Sequence, residues 1–239
     1  MRLATLGPRR NLIAAWNLVR MHPAFWQREF RDNIALARAA QEHGAMQKLR
    51  ELAPLIALLR RRRLDVVVEI GTARGGTFYA WCQLAEPEAT LISIDLPGGR
   101  YGGGYSLAEA SSFREYGQPG QELHFIRRDS HDDDTRKHVV EILDGRRIDF
   151  LLIDGDHTYG GVKQDFEMYA PLVAPGCPIA FHDILPHPVD QTCEVDRLWT
   201  EIKDDFRHIE FVDPYRDQLR RKYGGIGVLF RPDVAESQA

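Results

Sequence analysis

The stretch VVVEIGTARGG, Val66 to Gly76, decides how the rest of the chain is read. Val66, Val67, Val68 and Ile70 are β-branched and apolar, the composition of a strand buried on both faces. Gly71 then lets the backbone turn sharply, and Gly75 and Gly76 permit close approach of a ligand to the helix that follows. The spacing is GxxxGG, with Thr72 directly after the first glycine, so it departs from the GxGxxG dinucleotide pattern. A plain strand-to-helix turn would need no ligand. Only the company this turn keeps separates the two readings.

Working outward, TLISID (90–95), LHFIRRD (123–129), DFLLID (149–154) and CPIAFHD (177–183) read as further short apolar strands. Helices are expected between them, at 134–143 and where Val162, Phe166, Tyr169 and Val173 share a face. Val195, Leu198, Trp199, Ile202 and Phe206 mark another amphipathic helix. HIEFV (208–212) and GIGVLF (225–230) read as an antiparallel pair ending the sheet. Repeated β-α-β units predict an α/β fold with a mostly parallel sheet covered by helices on both faces. Before it, residues 11–60 are rich in helix formers, with Pro23 and Pro54 as punctuation and Leu52, Leu55, Ile56 and Leu59 at helical spacing. Arg60 to Arg63 close that segment as a solvated helix end. The expected division is a helical extension over 1–64, an α/β domain over 65–231 and a disordered tail over 232–239.

With 239 residues, 44% hydrophobic and 28% charged, the chain has the balance of a soluble globular protein. A net charge of −4 gives no overall basic surface for nucleic acid. LIAAW (12–16) is too short for a membrane span, and no cleavage site follows it. Cys82, Cys177 and Cys193 form neither a CxxC pair nor a zinc-like cluster in sequence, which fits reduced, buried thiols. A cytoplasmic protein without nucleic-acid or membrane partners is expected.

Ligands of such sheets lie at the carboxyl ends of the strands. Five strand ends bring polar groups there: Gly71 to Gly76, Asp95, Asp129 with Ser130, Asp154 to His157, and His182 with Asp183. Glu69, just before the glycine turn, would repel a pyrophosphate but suits a cationic ligand such as a sulfonium with an amino-acid tail. Asp95 stands 24 residues after Gly71, where an acid commonly accepts from a ribose diol. Asp129 and Ser130 could reach an adenine edge or cap a turn. In DFLLIDGDHTYGG (149–161) an apolar strand ends in Asp154, Asp156 and His157. Buried charges are costly unless paired, so the stretch points to a metal, a proton or both; the alternative is a solvated loop capping the next helix. PGGRYGGGY (97–105) reads as a lid or a linker, with Tyr101 and Tyr105 free to stack on an acceptor. Lys163, Asp165 and Glu167 read as surface residues.

The residues EIGTARGG, ISIDLP, RRDSHDDDT, IDGDHTYGGVKQDFEMYAPLVAPG and IAFHDI resemble a class I S-adenosylmethionine-dependent methyltransferase. More narrowly they are similar to the group of cephalosporin hydroxylase and the rhamnosyl O-methyltransferases, which includes natural-product sugar O-methyltransferases. The likeness runs from Asp65 to Phe230, and IDGDHTYGGVKQDFEMY is its specific part. It implies a Rossmann-like sheet, mostly parallel with an antiparallel terminal strand, plus N-terminal helices that in relatives assist oligomerisation or cover the substrate. It implies S-adenosylmethionine on Glu69, Gly71, Thr72, Gly75, Gly76, Asp95, Asp129, Ser130 and Asp154. It further implies a divalent metal, Mg²⁺ in relatives, on Asp154 and Asp183 with His182 beside them. Relatives usually carry Asp, Glu or Asn where His182 stands, and imidazole suits Mn²⁺, Fe²⁺ or Zn²⁺ better than magnesium. His157, three residues after Asp154, matches a DxxH arrangement in which it serves as base. Its free imidazole titrates near neutrality, as a base should. Asp156 would orient His157 or act as an alternative ligand, and helix capping is the competing role for His157.

The activity expected from this resemblance is metal-assisted transfer of the S-adenosylmethionine methyl group to a hydroxyl of a sugar or other natural-product intermediate. The acceptor would be a sugar, nucleotide sugar or glycoside, and the enzyme a homo-oligomer. A metal-independent methyltransferase and a non-catalytic cofactor-binding scaffold are the alternatives. The intact Asp154, His157 and Asp183 argue against the scaffold.

Overall fold

The computed structural model describes residues 23–99, 104–214 and 223–232. The expectations for LIAAW, for Tyr101 and for the tail beyond Pro232 fall outside these residues. Two helices come first, α1 (Pro23–Glu42) and α2 (Leu49–Leu59). Alternation then begins with β1 (Val66–Ile70), α3 (Gly76–Leu84), β2 (Thr90–Ile94), α4 (Leu107–Phe113) and β3 (Glu122–Ile126). It continues through α5 (Asp133–Leu143), β4 (Phe150–Ile153), α6 (Tyr159–Tyr169), β5 (Pro178–Leu185) and α7 (Val195–Ile202). The last two strands are β6 (Arg207–Phe211) and β7 (Gly224–Phe230).

The seven strands form one sheet in the order β3-β2-β1-β4-β5-β7-β6. β1 to β5 are mutually parallel, and β7 runs antiparallel to both β5 and β6. This is the Rossmann-like, mostly parallel sheet expected, with the antiparallel terminal pair in place. The strand order reverses between β1 and β4, where the connections diverge to either side and a ligand crevice forms. One feature was not legible beforehand: β7 lies between β5 and β6 rather than at the edge.

All five residues of β1 are buried, which explains its near-continuous apolar run. Val67, Leu91, Phe150 and Leu152 pack on one face of the sheet, and Val68, Ile92, Leu151 and Ile153 on the other. Ala37, Ala40, Leu52, Leu55, Ile56 and Leu59 from α1 and α2 join the first of these cores, together with Phe78 and Trp81 of α3. Residue 64 therefore divides the chain without dividing the core. Pro54, read as punctuation, lies inside α2, where the burial of Leu52, Leu55 and Ile56 outweighs the lost backbone bond.

Candidate functional site

The glycine turn is built by close backbone approach. Gly71 has φ 86°, donates its N–H to the Ile94 carbonyl, and would place a Cβ 2.0 Å from the Asp154 carbonyl oxygen. The ends of β1 and β4 are thus in contact through a missing side chain. Gly75 and Gly76 have a different use from the one expected. A Cβ on Gly75 would meet the Phe113 ring at 2.7 Å, and one on Gly76 would meet the Ala45 nitrogen at 2.0 Å. Packing of α3 against Phe113 and the α1–α2 turn requires them, and neither lines the cavity described below.

Glu69 and Thr72 also stand back from the cavity. Glu69 is fully buried and accepts from the indole N–H of Trp81, with the Thr72 and Thr77 hydroxyls adjacent. Burial pushes its carboxyl up to about 8, against the pull of those donors. The Thr72 hydroxyl lies 2.7 Å from that of Ser93. These side chains brace the turn from beneath, so any influence on a bound cation acts through the turn.

A cavity of about 350 Å³ opens at the carboxyl ends of the first five strands. Gly71, Asp95, Asp129, Ser130, Asp154, His157, His182 and Asp183 all line it, as the sequence led us to expect. Asp95 also has a structural task, since its Oδ2 accepts from the Ala73 N–H at 2.5 Å and holds Ala73 at φ 47°. Desolvation raises its carboxyl, while the donors of Ala73, Leu96 and Thr72 oppose that rise. Asp129 accepts from the His131 N–H at 2.9 Å.

At the far wall, two carboxylates and two imidazoles meet. Asp154 Oδ1 lies 3.3 Å from His157 Nε2 and 3.3 Å from His182 Nδ1. Asp183 Oδ2 lies 3.5 Å from His157 Nδ1 and 3.4 Å from His182 Nδ1. Asp183 reaches this position because its backbone is left-handed, φ 59°, at a register shift between His182 and Leu185 in the pairing of β5 with β7. Burial opposes charge on all four groups, yet mutual pairing wins. Asp154 is lowered to about 2 and Asp183 is lowered, while His182 is raised. His157 is raised to about 11 by Asp154, Cys193 and Asp183 against its burial. The expectation that His157 titrates near neutrality is corrected accordingly: without a further positive charge at the cluster it is an imidazolium.

Helix capping is not the task of His157. Thr158 is the N-cap of α6, accepting from the Gly161 N–H at 3.1 Å, and Asp156 Oδ1 accepts from the Thr158 N–H at 2.8 Å. Asp156 therefore shapes the turn.

Several residues in and around the cavity differ from their sequence reading or gave no sign in it. Gln47, from the helical extension, donates Nε2–H to Asp154 Oδ2 at 2.7 Å, and Met46 lines the cavity. Asp165, read as surface, is fully buried with its Oδ1 3.3 Å from His131 Nε2, and His131 lines the cavity. Tyr105 is fully buried and bonded to the Ser93 hydroxyl at 2.9 Å, so it does not stack on an acceptor. The charge pattern of α6 and the plain chemistry of glutamine concealed these contacts.

Comparison with known proteins bears directly on this geometry. A family model described as a methyltransferase domain matches residues 68–184, which span the glycine turn, Asp95 and the whole Asp/His cluster. Those residues carry a methyltransferase domain. An uncharacterized protein of Sinorhizobium fredii, y4gI, is 31% identical over 193 residues, covering 77% of this chain and 19% of that protein. The chain thus spans about a fifth of the length of that curated relative. Among solved structures, the methyltransferase fold is similar to the O-methyltransferase TomG of Streptomyces achromogenes, involved in tomaymycin synthesis and solved with SAM. The TM-score is 0.53 at 19% identity over 83% of this chain and 90% of that one. CalS11, a TDP-rhamnose 3'-O-methyltransferase of calicheamicin biosynthesis, gives 0.55 at 16% identity, with 75% and 77% covered. MycE of the mycinamycin pathway, solved with Mg and SAH, gives 0.53 at 14% identity, with 82% and 54% covered. At these identities the structural likeness is one of fold.

Proposed function

We propose that this methyltransferase domain moves the methyl group of S-adenosylmethionine to a hydroxyl of a small molecule, a sugar or other natural-product intermediate, with help from a divalent cation. The observation that carries the reading is that Asp154, His157, His182 and Asp183 line one cavity together with Gly71, Asp95 and Ser130. Cofactor-side and acceptor-side groups therefore face a common space. The O-methyltransferases TomG and CalS11, and the magnesium bound with MycE, support the same assignment.

The donor set fits a divalent cation. One donor atom each from Asp154, Asp183 and His182 lie within 4.8 Å of one another, with His182 Nδ1 3.3 Å from Asp154 Oδ1 and 3.4 Å from Asp183 Oδ2, and pairing lowers both carboxyls. Magnesium is the expected ion, and the two carboxylates are its proper ligands. When bound, such an ion would orient and acidify an acceptor hydroxyl and would neutralise the two aspartates. The chain's own residues do the rest. Asp95 would accept from a ribose diol, while Asp129 and Ser130 stand where an adenine edge would lie. Gln47 fixes the second oxygen of Asp154, so the carboxylate cannot rotate away from the cluster. His157, once relieved of the two aspartate charges, offers a ring nitrogen to take the hydroxyl proton at the moment of attack.

A metal-independent reading has one specific observation in its favour. Two imidazoliums already balance two carboxylates, so the cluster is electrically satisfied by itself. Methyl transfer from labelled S-adenosylmethionine to a panel of nucleotide sugars and glycosides, before and after chelation, separates the two. We expect turnover that chelator suppresses and Mg²⁺ or Mn²⁺ restores, with cofactor binding retained throughout. Full turnover after chelation would transfer the assignment to the metal-free mechanism. Failure to bind S-adenosylmethionine by titration calorimetry would end the methyltransferase reading itself. The three cysteines are free, in keeping with the cytoplasmic location proposed, and no described helix is long and apolar enough to cross a membrane.

A further inference from the structure

In sequence the three cysteines form no cluster with metal-ligating residues, but the fold brings one of them to the site. Cys193 is buried in the loop between β5 and α7, and its thiol contacts the His157 ring. One donor atom each from His157, Asp183 and Cys193 lie within 4.8 Å of one another. We infer that these three residues form a site for a thiophilic divalent ion of the zinc class, distinct from the oxygen-rich position at Asp154, His182 and Asp183 and sharing Asp183 with it.

The geometry suits that ion. Ligands at about 2.0–2.3 Å in a tetrahedral shell stand roughly 3.3–3.8 Å from one another. His157 Nδ1 and Asp183 Oδ2 are already 3.5 Å apart. The other ring nitrogen, His157 Nε2, faces Asp154 Oδ1 at 3.3 Å. A carboxylate accepting from one imidazole nitrogen fixes the tautomer that leaves the other free to ligate, the arrangement that commonly supports zinc-bound histidines. Both His157 and Asp183 line the cavity, so a fourth position opens toward solvent or ligand.

The loop that carries Cys193 is braced on both sides. Asp190 Oδ1 accepts from the Thr192 N–H at 2.9 Å and from its hydroxyl at 2.6 Å, and the Asp190 carbonyl accepts from the Cys193 N–H at 3.3 Å. Directly after it, the Glu194 N–H donates to the His157 carbonyl at 2.8 Å. The thiol is therefore anchored beside the imidazole rather than sweeping past it. Sulfur ligands discriminate strongly between zinc-class ions and magnesium, which takes oxygen. Cys82 and Cys177 belong to no such cluster among the described residues.

Binding would convert the Cys193 thiol to a thiolate and displace the Nδ1 proton of the His157 imidazolium, both protons passing to solvent, and would occupy the Nδ1 lone pair so exposed. Where His157 is the base, an ion here withdraws it and also takes one carboxylate from the magnesium position. A zinc-class ion would then inhibit an enzyme that magnesium supports. This consequence rests on the proposed function; the ion site itself does not.

The test uses the full chain, stripped of metal and titrated with Co²⁺. We expect a sulfur-to-cobalt charge-transfer band in the near ultraviolet, displaced by one equivalent of Zn²⁺. It should vanish in Cys193→Ser and persist in Cys177→Ser. Zinc-edge X-ray absorption of the unmutated chain with one equivalent bound should show one sulfur at about 2.3 Å. This second measurement stands even where Cys193→Ser fails to fold. No charge-transfer band, a band surviving in Cys193→Ser, or a zinc shell of nitrogen and oxygen alone would overturn the site. Where methyl transfer is measurable, Zn²⁺ should inhibit the unmutated enzyme at least tenfold more strongly than Cys193→Ser. Equal inhibition of the two would remove the inhibitory role. A sulfur band in a chain that binds no S-adenosylmethionine would uphold the ion site while refuting the methyltransferase reading.

Discussion

The fully buried carboxylate of Asp165 lies 3.3 Å from Nε2 of His131, so a residue of α6 holds an imidazole that the loop after β3 presents to the cavity. Donation of its ring N–H to the Asp165 carboxylate raises His131 to about 9, and burial opposes it. Its folded value is thus above the unfolded one, near 6.5. The pair contributes stability that is fully present below about pH 6.5 and is lost as pH rises through about 9. The melting temperature should fall by a few degrees between about pH 7 and pH 9.5, read by circular dichroism. His131→Asn should flatten that slope, and an unchanged slope would mean that the pair does not titrate there.

Gln47→Ala should destabilise the fold by about 1–3 kcal/mol in a denaturant titration, because a charge-assisted bond to Asp154 is lost. Metal affinity should fall as well, since the freed carboxylate oxygen must be held by something else. A variant with unaltered stability and unaltered metal affinity would show the contact to be incidental.

The glycines sort themselves by what a methyl group would strike. Gly76→Ala should cost about 1–3 kcal/mol, because its Cβ would lie 2.0 Å from the Ala45 nitrogen. Gly71→Ala combines a comparable clash with a left-handed backbone and should cost more. Gly160→Ala, with nothing within 4 Å of its Cβ, should be neutral or mildly stabilising. Thermal melts of the three place them in order, and an equal loss at Gly160 would contradict the packing argument.

Asp95→Ala should weaken S-adenosylmethionine binding by about 1–3 kcal/mol in titration calorimetry, through unpaired ribose hydroxyls. Loss of its bond to the Ala73 N–H should also loosen the glycine turn, so Asp95→Asn is expected to lie between the two. Equal affinity in all three proteins would place the ribose elsewhere.

The strands were legible because each is a short apolar run ending in polar residues, and parallel burial leaves that mark on sequence. The Asp/His cluster was legible for a related reason: Asp154 and Asp183 follow apolar runs directly, where charge needs an explanation. What stayed hidden depends on distant pairing. Asp165 sits among Lys163, Gln164 and Glu167, and His131 with Ser130, more than 30 residues earlier in another unit, make its burial tolerable. Gln47 reaches Asp154 across 107 positions, and a lone amide gives no local sign of that. Thr72, Gly75 and Gly76 looked like ligand contacts because packing against Ser93, Phe113 and Ala45 requires the same small residues as a ligand would.

The left-handed turn at Asp183 belongs to the pairing of β5 with β7, and β7 is the last strand in sequence. During synthesis β1 to β5 emerge first and can associate in order, whereas β6 has no place in the sheet until β7 slides in beside β5. Such non-local insertion is slow compared with local pairing. Asp183 acquires its aim only at that step, so completion of the fold and arming of the site are one event. A nascent chain that has not yet delivered residues 224–230 holds β1 to β5 without the pairing in which Asp183 takes its left-handed turn.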